Sequence, residues 1–473
     1  MAALKPCSSM SDVTVPSVAC MPRLHAGLDS TPVMEQIFSD RTRVQRMLDV
    51  EAALALAEAR HGVIPAAAVA SIVAACDAGA IDFAALAADA ATAGNLAIPL
   101  VKQLTARVAT GDAEAAKYVH WGATSQDVID TGMVLQLRDA LAQIDADLRQ
   151  LGNVLSELAE RHRATPQVGR TWMQHALPIS FGAKVAGWLD ALTRHHARLR
   201  QVRAQSAVLQ FGGAAGTLAS LGDKGLQVAQ SLAGELKLGL PILPWHAARD
   251  RFAETATTLG LLTGTLGKMA GDIALLAQTE IAELAEPAGS GRGGSSAMPH
   301  KRNPVSCAAT LAAAERVPYL VATMLGAMTQ ENERALGGWQ AEWETLPQIV
   351  CLSACALQQM LYACGGLHVD GERMRHNLEL TQGQIMAESV TMALGAKIGR
   401  QAAYEVVERA CRSASAYPVR HLRAVLEQDG VVGAHLSTTE LDRAFDPANY
   451  AGEAAQFADR AVAAWRAQME QEY

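Results

Sequence analysis

A seam of apolar residues, spaced alternately four and three apart, is the feature of this sequence that most restricts its fold. Its members are Leu137, Leu141, Ile144, Leu148, Leu151, Leu155 and Leu158. This spacing places them on one face of an α-helix, as in helices that pack nearly parallel to their neighbours. A helix from Asp127 to His162 would be about 54 Å long. A small domain rarely needs such a helix, so the seam predicts a bundle that other subunits complete.

A second seam of the same kind occurs later in the chain. Its members are Leu259, Leu262, Leu266, Met269, Ile273 and Leu276. Only 4% of the 473 residues are aromatic, and alanine and leucine are abundant. These two residue types lose little side-chain entropy in a helix, and few segments alternate with the period of a strand. The sequence therefore predicts an all-α fold.

Breaks in the helical pattern predict three helical domains after a short tail. The predicted ranges are 1–27 for a disordered tail, 28–119 for an N-terminal domain, 120–365 for the central long helices and 366–473 for a C-terminal domain. Serine, aspartate and proline interrupt the apolar part of the tail, which argues against a secretion signal. The tail could also reflect a start site placed too far upstream.

The charge and the cysteines exclude several classes of protein. The net charge is −8 and no run of Lys or Arg is present, so no nucleic-acid partner is predicted. Residues 347–369 lack charged side chains, but glutamines and paired glycines favour a buried bundle helix over a membrane span. The eight cysteines lack the spacing of a disulfide scaffold or of a metal site. These features predict a cytoplasmic protein with reduced thiols and no metal.

Three polar segments interrupt the helical pattern, and the first is YVHWGATSQD at 118–127. Thr124 or Ser125 can cap the long helix that follows, and their hydroxyls with nearby N–H groups could receive a carboxylate. Capping alone is the simpler interpretation for either residue in isolation. His120 could likewise be an ordinary histidine at a helix boundary.

The second segment is GRTWMQHALPISFG at 169–182. Arg170 and Thr171 are expected at a helix end, with Pro178 at the start of the next helix. Gln174 and His175 could face a ligand, although a buried backbone carbonyl could equally satisfy the imidazole.

The third segment, GSSAMPHKRNP at 294–304, combines glycine, hydroxyls, cations and prolines. Ser295 and Ser296 are candidate nucleophiles or bases. Lys301 is a compact cation suited to a carboxylate, and Asn303 can donate a further hydrogen bond. A surface loop without function would not predict this combination, so we expect a mobile catalytic loop.

Together the three segments closely resemble the fumarase/aspartase superfamily, over nearly the whole chain after about residue 28. The matching residues are His120, Gly122, Thr124, Ser125, Asp127, Gly169, Arg170, Thr171, Gly294, Ser295, Ser296, Pro299, Lys301 and Asn303. The resemblance implies a homotetramer with a central bundle of twenty long helices and active sites shared by three subunits. It also implies that Ser295 is the base, with Lys301, Asn303 and N–H groups near Met298 holding a carboxylate as its negative charge grows.

Three positions depart from the adenylosuccinate lyase branch of this superfamily. That branch carries a general-acid histidine where this chain has Trp172 and a glutamate where it has Ala308. A further histidine of that branch is replaced by Gly94 and Asn95. An amine must be protonated as it leaves, whereas a carboxylate, with a pKa near ~4, needs no proton. The departures favour a carboxylate leaving group or, in reverse, a carboxylate that adds to a double bond in a lactonisation.

The sequence accordingly resembles the branch that closes a carboxylated muconate, a tricarboxylic diene, to a lactone in protocatechuate degradation. Trp172 and the segments at 209–219 and 331–343 carry this likeness. It implies catalysis by Ser295, His120 and His175 without a cofactor. The residues implied to bind the substrate are Thr124, Ser125, Arg170, Thr171, Trp172, Gln174, Ser296, Met298, Lys301, Asn303, Arg334, Trp339 and Gln340.

Two other functions stay open at this point. A C–N lyase that releases fumarate could use His120 or His175 as its acid, and a structural member could lack activity altogether. Retention of Ser295, Lys301 and Asn303 counts against the second. For single residues, Trp172 could instead pack in the core, and Arg334 could form a structural ion pair.

Overall fold

The structure is a computed structural model that describes residues 24–289 and 291–470. Most of the predicted tail, residues 1–23, lies outside the described residues. The described part is mostly helical, with 19 α-helices. Those before the first polar segment are α1 (Ala26–Asp29), α2 (Pro32–Ile37), α3 (Asp40–Arg60), α4 (Ala66–Ala75), α5 (Phe83–Ala93) and α6 (Ala97–Gly111).

The longest helices follow in the middle of the chain. They are α7 (Ser125–Arg161), α8 (Phe181–Ser206), the shorter α9 (Gly225–Leu236), α10 (Asp250–Leu276), α11 (Val305–Gly326) and α12 (Gly338–Gly365). Shorter helices complete the chain. These are α13 (Gly371–Leu378), α14 (Ala387–Ile398), α15 (Arg400–Ser415), α16 (Leu422–Leu426), α17 (Gly430–His435), α18 (Thr438–Phe445) and α19 (Ala454–Glu470).

The two apolar seams lie on α7 and α10, as predicted. Every member of both seams is buried, and the most exposed is Leu158 at 5%. The helix predicted over 127–162 is observed as α7, with 37 residues. The seams therefore face the interior of the protein, where the burial of apolar surface stabilises the long helices.

The all-α prediction is confirmed for the bulk of the chain but missed four short strands. β1 (Pro166–Thr171) and β2 (Gln174–Ser180) form an antiparallel hairpin, and β3 (Leu284–Ala285) pairs with β4 (His368–Val369). The prediction that Arg170 and Thr171 end a helix and that Pro178 begins another is wrong, because all three lie in the hairpin. The two turn residues, Trp172 and Met173, have φ of 52° and 63°. Such turns usually contain glycine or asparagine, which this sequence lacks there.

The chain forms two compact units. The first contains the residues through Ala140, Gln205–Asp250 and Ala327–Gln340, and the second contains Leu141–Ala204, Arg251–Gly326 and the residues from Ala341 onward. Each unit joins segments that are distant in sequence. The domain boundaries predicted from the sequence therefore stay a prediction.

Two helices, α10 and α12, are long and apolar enough to span a membrane by length and composition alone. In α12, 67% of the most apolar window is buried inside the structure, and in α10 the figure is 44%. The burial of α12 is typical of a core helix in a bundle, as was predicted for residues 347–369, whereas less than half of the α10 window is buried.

Glu58 in α3 is a buried carboxyl group without a compensating partner. Its side chain is fully buried, and neither carboxyl oxygen accepts a hydrogen bond from a described residue. Burial, aided by the charge of Glu51, raises the pKa of Glu58 to about 9. Glu58 is therefore protonated in the folded protein at neutral pH.

This pKa predicts that Glu58→Gln stabilises the protein at high pH. As the pH rises from the ordinary glutamate pKa towards 9, the unfolded chain releases a proton that the folded chain still binds. The contribution of Glu58 is thus fully present at low pH and is lost as the pH rises. We expect the variant to gain about 2–4 kcal/mol in free energy of unfolding at pH 8, and little at pH 4.5. Denaturant titrations at both pH values measure this; an equal change at both would contradict it.

Candidate active site

Asp127 fixes the segment in which α7 begins. Its carboxylate accepts hydrogen bonds from the N–H groups of Gly212 at 3.0 Å, Gly213 at 2.9 Å and Thr124 at 3.0 Å. His246 Nε2 lies 2.7 Å from Oδ1, and Asp127 is only 1% exposed. One buried carboxylate thus joins the first polar segment to the 209–219 segment within the first unit.

The two backbones meet so closely that glycine is required at their contact. Gly122 and Gly213 both have φ of 70°. A Cβ atom on Gly213 would lie 2.9 Å from the carbonyl oxygen of Gly122. Such a contact is shorter than van der Waals distance, so the pairing of the segments depends on the missing side chain.

Thr124 and Ser125 stand at the beginning of α7 with their hydroxyl groups unengaged. The Thr124 N–H is bound by Asp127, the third residue of the helix, so a carboxylate and not a hydroxyl performs the capping seen here. Both residues are half-buried, and within the described residues neither hydroxyl is hydrogen-bonded. Both hydroxyls are therefore available to a bound anion, and their predicted contact with a carboxylate stays a prediction.

His120 is held in an unusual backbone conformation beside a buried carboxylate. Its φ is 59°, and its Nδ1 lies 2.6 Å from Oε1 of Glu51, a residue of α3 that is 2% exposed. Burial by itself lowers the pKa of His120, but the charge and hydrogen bond of Glu51 outweigh it, so the pKa is raised. An ordinary boundary histidine needs neither feature.

Arg334 contacts the same segment through uncharged acceptors. Its guanidinium donates to Gln126 Oε1 at 3.1 Å and to the carbonyl oxygens of Ala214 at 3.1 Å and Gly213 at 3.4 Å. The structural ion pair considered from the sequence is not observed, since no described carboxylate pairs with Arg334. Its positive charge is therefore available to an anionic ligand.

Trp339 and Gln340 lie at the start of α12, and their predicted contact with substrate stays a prediction. Trp339 is 4% exposed, and its Nε1 donates to Asp130 at 2.9 Å. Arg249 donates to the same carboxylate at 2.6 Å. Gln340 accepts the N–H of Gly337 at 3.0 Å. These contacts give both residues a structural role in positioning α12.

The hairpin of the second unit is anchored by Glu283. This carboxylate is fully buried and accepts hydrogen bonds from Arg170 at 2.7 Å, Gln167 at 2.7 Å and Asn377 at 2.8 Å. The guanidinium of Arg170 is thus committed to a buried ion pair. This ion pair anchors the hairpin, because breaking it would leave a buried charge uncompensated. The predicted contact of Arg170 with substrate stays a prediction.

The tip of the hairpin projects away from the unit that carries it. Trp172 is 97% exposed and Met173 is 73% exposed, so Trp172 does not pack in the core of this chain. The neighbouring Thr171 and Gln174 are also exposed. An indole presented in this way can contact a ligand or a second chain.

His175 differs from His120 in its surroundings and its charge. Its Nδ1 is buried and has no hydrogen-bond partner among the described residues, so the expected backbone carbonyl is not found. Burial and the positive charge of Arg170 lower the pKa of His175. This imidazole is therefore neutral at neutral pH and can accept a proton or a hydrogen bond.

Ser295 lies in a tight turn near the start of the third segment, directly after Gly294, which pairs with Arg302. Its Oγ accepts hydrogen bonds from the N–H groups of Met298 at 3.0 Å and Ala297 at 3.4 Å. The Met298 N–H, which was predicted to hold a substrate carboxylate, donates to the serine in this structure. Donors in this position favour negative charge on Oγ. Ser296 and Lys301 are exposed, and Asn303 is half-buried.

The stem of this loop is firmly held. Arg292 donates to Ser306 Oγ at 2.5 Å and Gln359 Oε1 at 2.6 Å, and its guanidinium stacks on Tyr362. The Asn303 N–H donates to the carbonyl of Gly293 at 2.8 Å. With the stem fixed, Ser295 is half-buried and Lys301 is exposed.

The structure thus groups the predicted residues separately in its two units. The start of α7 gathers His120, Thr124, Ser125 and Arg334 in the first unit, and the second unit carries the hairpin and the loop. No hydrogen bond or ion pair between described residues joins the hairpin residues 170–175 to the loop residues 294–304. No described group of three or more His, Cys, Asp or Glu side chains is arranged to hold a metal ion.

Comparisons with known proteins agree with these motifs. A family model described as lyase matches residues 28–318, and one described as adenylosuccinate lyase C-terminus matches residues 383–461. The chain belongs to the fumarase/aspartase superfamily.

Within this superfamily, the chain is similar to two curated relatives named 3-carboxy-cis,cis-muconate cycloisomerase. The protein from Pseudomonas aeruginosa is 59% identical over 91% of this chain and 94% of its own length, and that from Pseudomonas putida is 55% identical over 87% and 98%. A crystal structure of a 3-carboxy-cis,cis-muconate lactonizing enzyme from Pseudomonas putida superposes with a TM-score of 0.90 and 53% identity, covering 94% of this chain and 99% of that one.

The departures from the adenylosuccinate lyase branch of the superfamily have simple structural accounts. Gly94 ends α5 with φ of 77°, and Asn95 caps α6 by accepting the N–H groups of Ala97 and Ile98. Ala308 is an exposed residue in the first turn of α11. None of these positions, nor Trp172, supplies a proton donor for a leaving amine.

Sequence reasoning missed two acidic residues that hold candidate site residues, Glu51 and Glu283. It identified Asp127 only as part of the superfamily motif and not as the acceptor that anchors the segment. Glu51 offered one signal, since it interrupts the apolar face of a helix, where a carboxylate needs a partner. Nothing local identified its partner as His120, which is 69 residues away in sequence.

Proposed function

We propose that this protein is a cycloisomerase that closes 3-carboxy-cis,cis-muconate to 4-carboxymuconolactone. The relatives of that name match it over nearly their full length. Each unit also carries donors that suit a substrate with several carboxylates. The first unit offers Arg334 and the free hydroxyls of Thr124 and Ser125, and the second unit offers Lys301.

The proposed reaction needs proton transfer and the stabilisation of negative charge. A carboxylate oxygen of the substrate bonds to one carbon of a double bond, the π bond breaks, and the carbon next to another carboxylate takes a proton. Ser295 is the group proposed to deliver that proton, and in the reverse direction to remove it. Lys301 and Asn303 hold the neighbouring carboxylate as its charge changes. No electrons are gained or lost, so no organic cofactor is proposed.

The observation that carries this proposal is Trp172 at the tip of the hairpin. The position that holds a general acid in the C–N lyase branch carries an exposed indole, which cannot donate a proton to a leaving nitrogen. His175, three residues on, is neutral because its pKa is lowered. A lactonisation has no basic leaving group and is compatible with both features.

We also propose that the active site is completed in a homotetramer. In the described part of the chain Trp172 and Met173 are largely exposed, and Leu261 and Leu275 of α10 are exposed as well. A groove of about 1050 Å³ runs along α8 and α10 in the second unit, with Trp188, Leu261 and Phe457 among its lining residues. Apolar surfaces of this size are typical of subunit interfaces.

An isotope experiment tests the reaction itself. Purified protein is incubated with 3-carboxy-cis,cis-muconate in D₂O, and the product is identified by NMR spectroscopy. We expect a lactone with one deuterium on the carbon next to a carboxylate, because the transferred proton comes from an exchangeable group. A product without deuterium, or no lactone at all, would refute the proposed proton transfer; heat-denatured protein controls for spontaneous closure.

A further inference from the structure

Glu51 is a buried carboxylate with a single hydrogen-bond partner. The residue is 2% exposed on a helix face of alanine, valine and leucine. Among the described residues, only His120 forms a hydrogen bond with its side chain, at 2.6 Å. A charged group in such surroundings is costly unless a paired charge offsets the loss of water. The buried carboxylate of Glu51 therefore needs a protonated imidazole at His120 to offset the loss of water.

His120 is correspondingly fixed from two sides. Its backbone has φ of 59°, a conformation that non-glycine residues rarely adopt and that commonly marks functional positions. Its Nδ1 is taken up by Glu51, and its Nε2 forms no hydrogen bond with a described residue. His120, with this free Nε2, lies five residues before Ser125, whose hydroxyl is also unengaged.

We propose that Glu51 is a positioning residue that keeps His120 a cation, with Nε2–H reserved for a substrate carboxylate. This inference rests on the proposed function, because it assigns His120 to anion binding in that reaction. It separates the roles of the two candidate histidines: His120 binds, whereas the neutral His175 is left for proton exchange. A protonated imidazole cannot act as a general base.

The charges around His120 support this assignment. Glu51 faces it from α3 and Asp127 from α7, and both raise its pKa against the opposing effect of burial. The Asp127 carboxylate also contacts His246 and three backbone N–H groups. Among the described residues, the Glu51 carboxylate hydrogen-bonds only with His120. Glu58, two turns farther along α3, is protonated at neutral pH and adds no charge.

Glu51→Gln and Glu58→Gln make a matched pair of variants for the test. Both remove a buried carboxyl group from one helix, but only Glu51 contacts His120. The assay follows the loss of diene absorbance from 3-carboxy-cis,cis-muconate. We expect Glu51→Gln to raise KM about 10- to 100-fold, with kcat changed less than about threefold, because binding is weakened more than chemistry. Glu58→Gln should leave both constants close to wild type. Equal effects of the two variants would overturn the positioning role.

Histidine C2-hydrogen exchange, followed by mass spectrometry of proteolytic peptides, gives a readout that needs no activity. In wild-type protein we expect the exchange midpoint of His120 to lie above that of His175, because Glu51 raises the pKa of His120 whereas burial and Arg170 lower the pKa of His175. In Glu51→Gln the His120 midpoint should fall, and in Glu58→Gln it should not. A His120 midpoint at or below that of His175 in wild-type protein would refute the inference, even if Glu51→Gln failed to fold.

The two readouts separate this inference from the proposed function. Wild-type protein that ignores the muconate, yet shows the elevated His120 midpoint, would refute the function while leaving the ion pair intact. Wild-type protein that forms the lactone, with unchanged KM and midpoint in Glu51→Gln, would refute the role of Glu51 alone.

Discussion

Ser295→Ala is expected to lower kcat for lactone formation by about 10³- to 10⁴-fold, with the fold unchanged. The loss is large because proton transfer by a positioned group contributes about 10²- to 10⁴-fold, and the variant also removes the acceptor of two turn N–H groups. In the structure Ser295 Oγ is the atom on which the N–H groups of Met298 and Ala297 converge. Steady-state assays of the purified variant measure the effect, and circular dichroism confirms that it is folded.

Ser296→Ala is the matched control for this prediction. Ser296 is the adjacent residue of the same loop and carries the same hydroxyl, but it is exposed and unconstrained. We expect its loss to change kcat less than about tenfold. If Ser295→Ala kept more than a tenth of wild-type activity, another group would have to carry the proton.

Asp127→Ala is expected to lower the free energy of unfolding by about 4–5 kcal/mol, the largest effect on stability that we predict. The substitution leaves three backbone N–H groups and His246 without their buried acceptor. Each unsatisfied buried donor costs about 1–3 kcal/mol, and removing one partner of a buried pair costs about 3–5 kcal/mol. The loss should appear in denaturant titrations as a lower midpoint.

Two further variants control for side-chain loss. Asp89 on α5 is exposed, and Asp89→Ala is expected to change stability by less than about 0.5 kcal/mol. Asp127→Asn keeps the shape of the side chain but offers only one acceptor oxygen. Its loss of stability should therefore lie between those of Asp89→Ala and Asp127→Ala. An Asp127→Ala variant as stable as Asp89→Ala would show that the observed network contributes nothing.

The long helices could be predicted from the sequence because their signal is local and repeated. The seams on α7 and α10 report one buried face over many turns, and every member is buried in the structure. The hairpin at 166–180 could not be predicted in this way. Its turn places Trp172 and Met173 at positive φ, and contacts such as that of Arg170 with Glu283 stabilise the hairpin against weak local preferences.

Candidate site residues could be identified from the sequence where several of them lie within a few positions of one another. The loop gave Ser295 and Lys301, and the first segment gave Thr124 and Ser125. The carboxylates that orient these segments could not be found, because Glu51 and Glu283 lie 69 and 113 residues from the partners that reveal their role. The same limit applies to Arg170 and Trp339, since nothing near them in sequence identifies Glu283 or Asp130 as their acceptor.

The central claim is that a chain with Trp172 at the general-acid position of the C–N lyase branch serves a carboxylate leaving group and not an amine. The most direct test compares two substrates at equal concentration with one preparation of the protein, by the loss of diene absorbance from 3-carboxy-cis,cis-muconate and by the release of fumarate from adenylosuccinate. We expect kcat/KM to favour the diene by at least about 10³-fold, since the unassisted departure of an amine is slow. Rapid cleavage of adenylosuccinate, with the diene untouched, would contradict the claim.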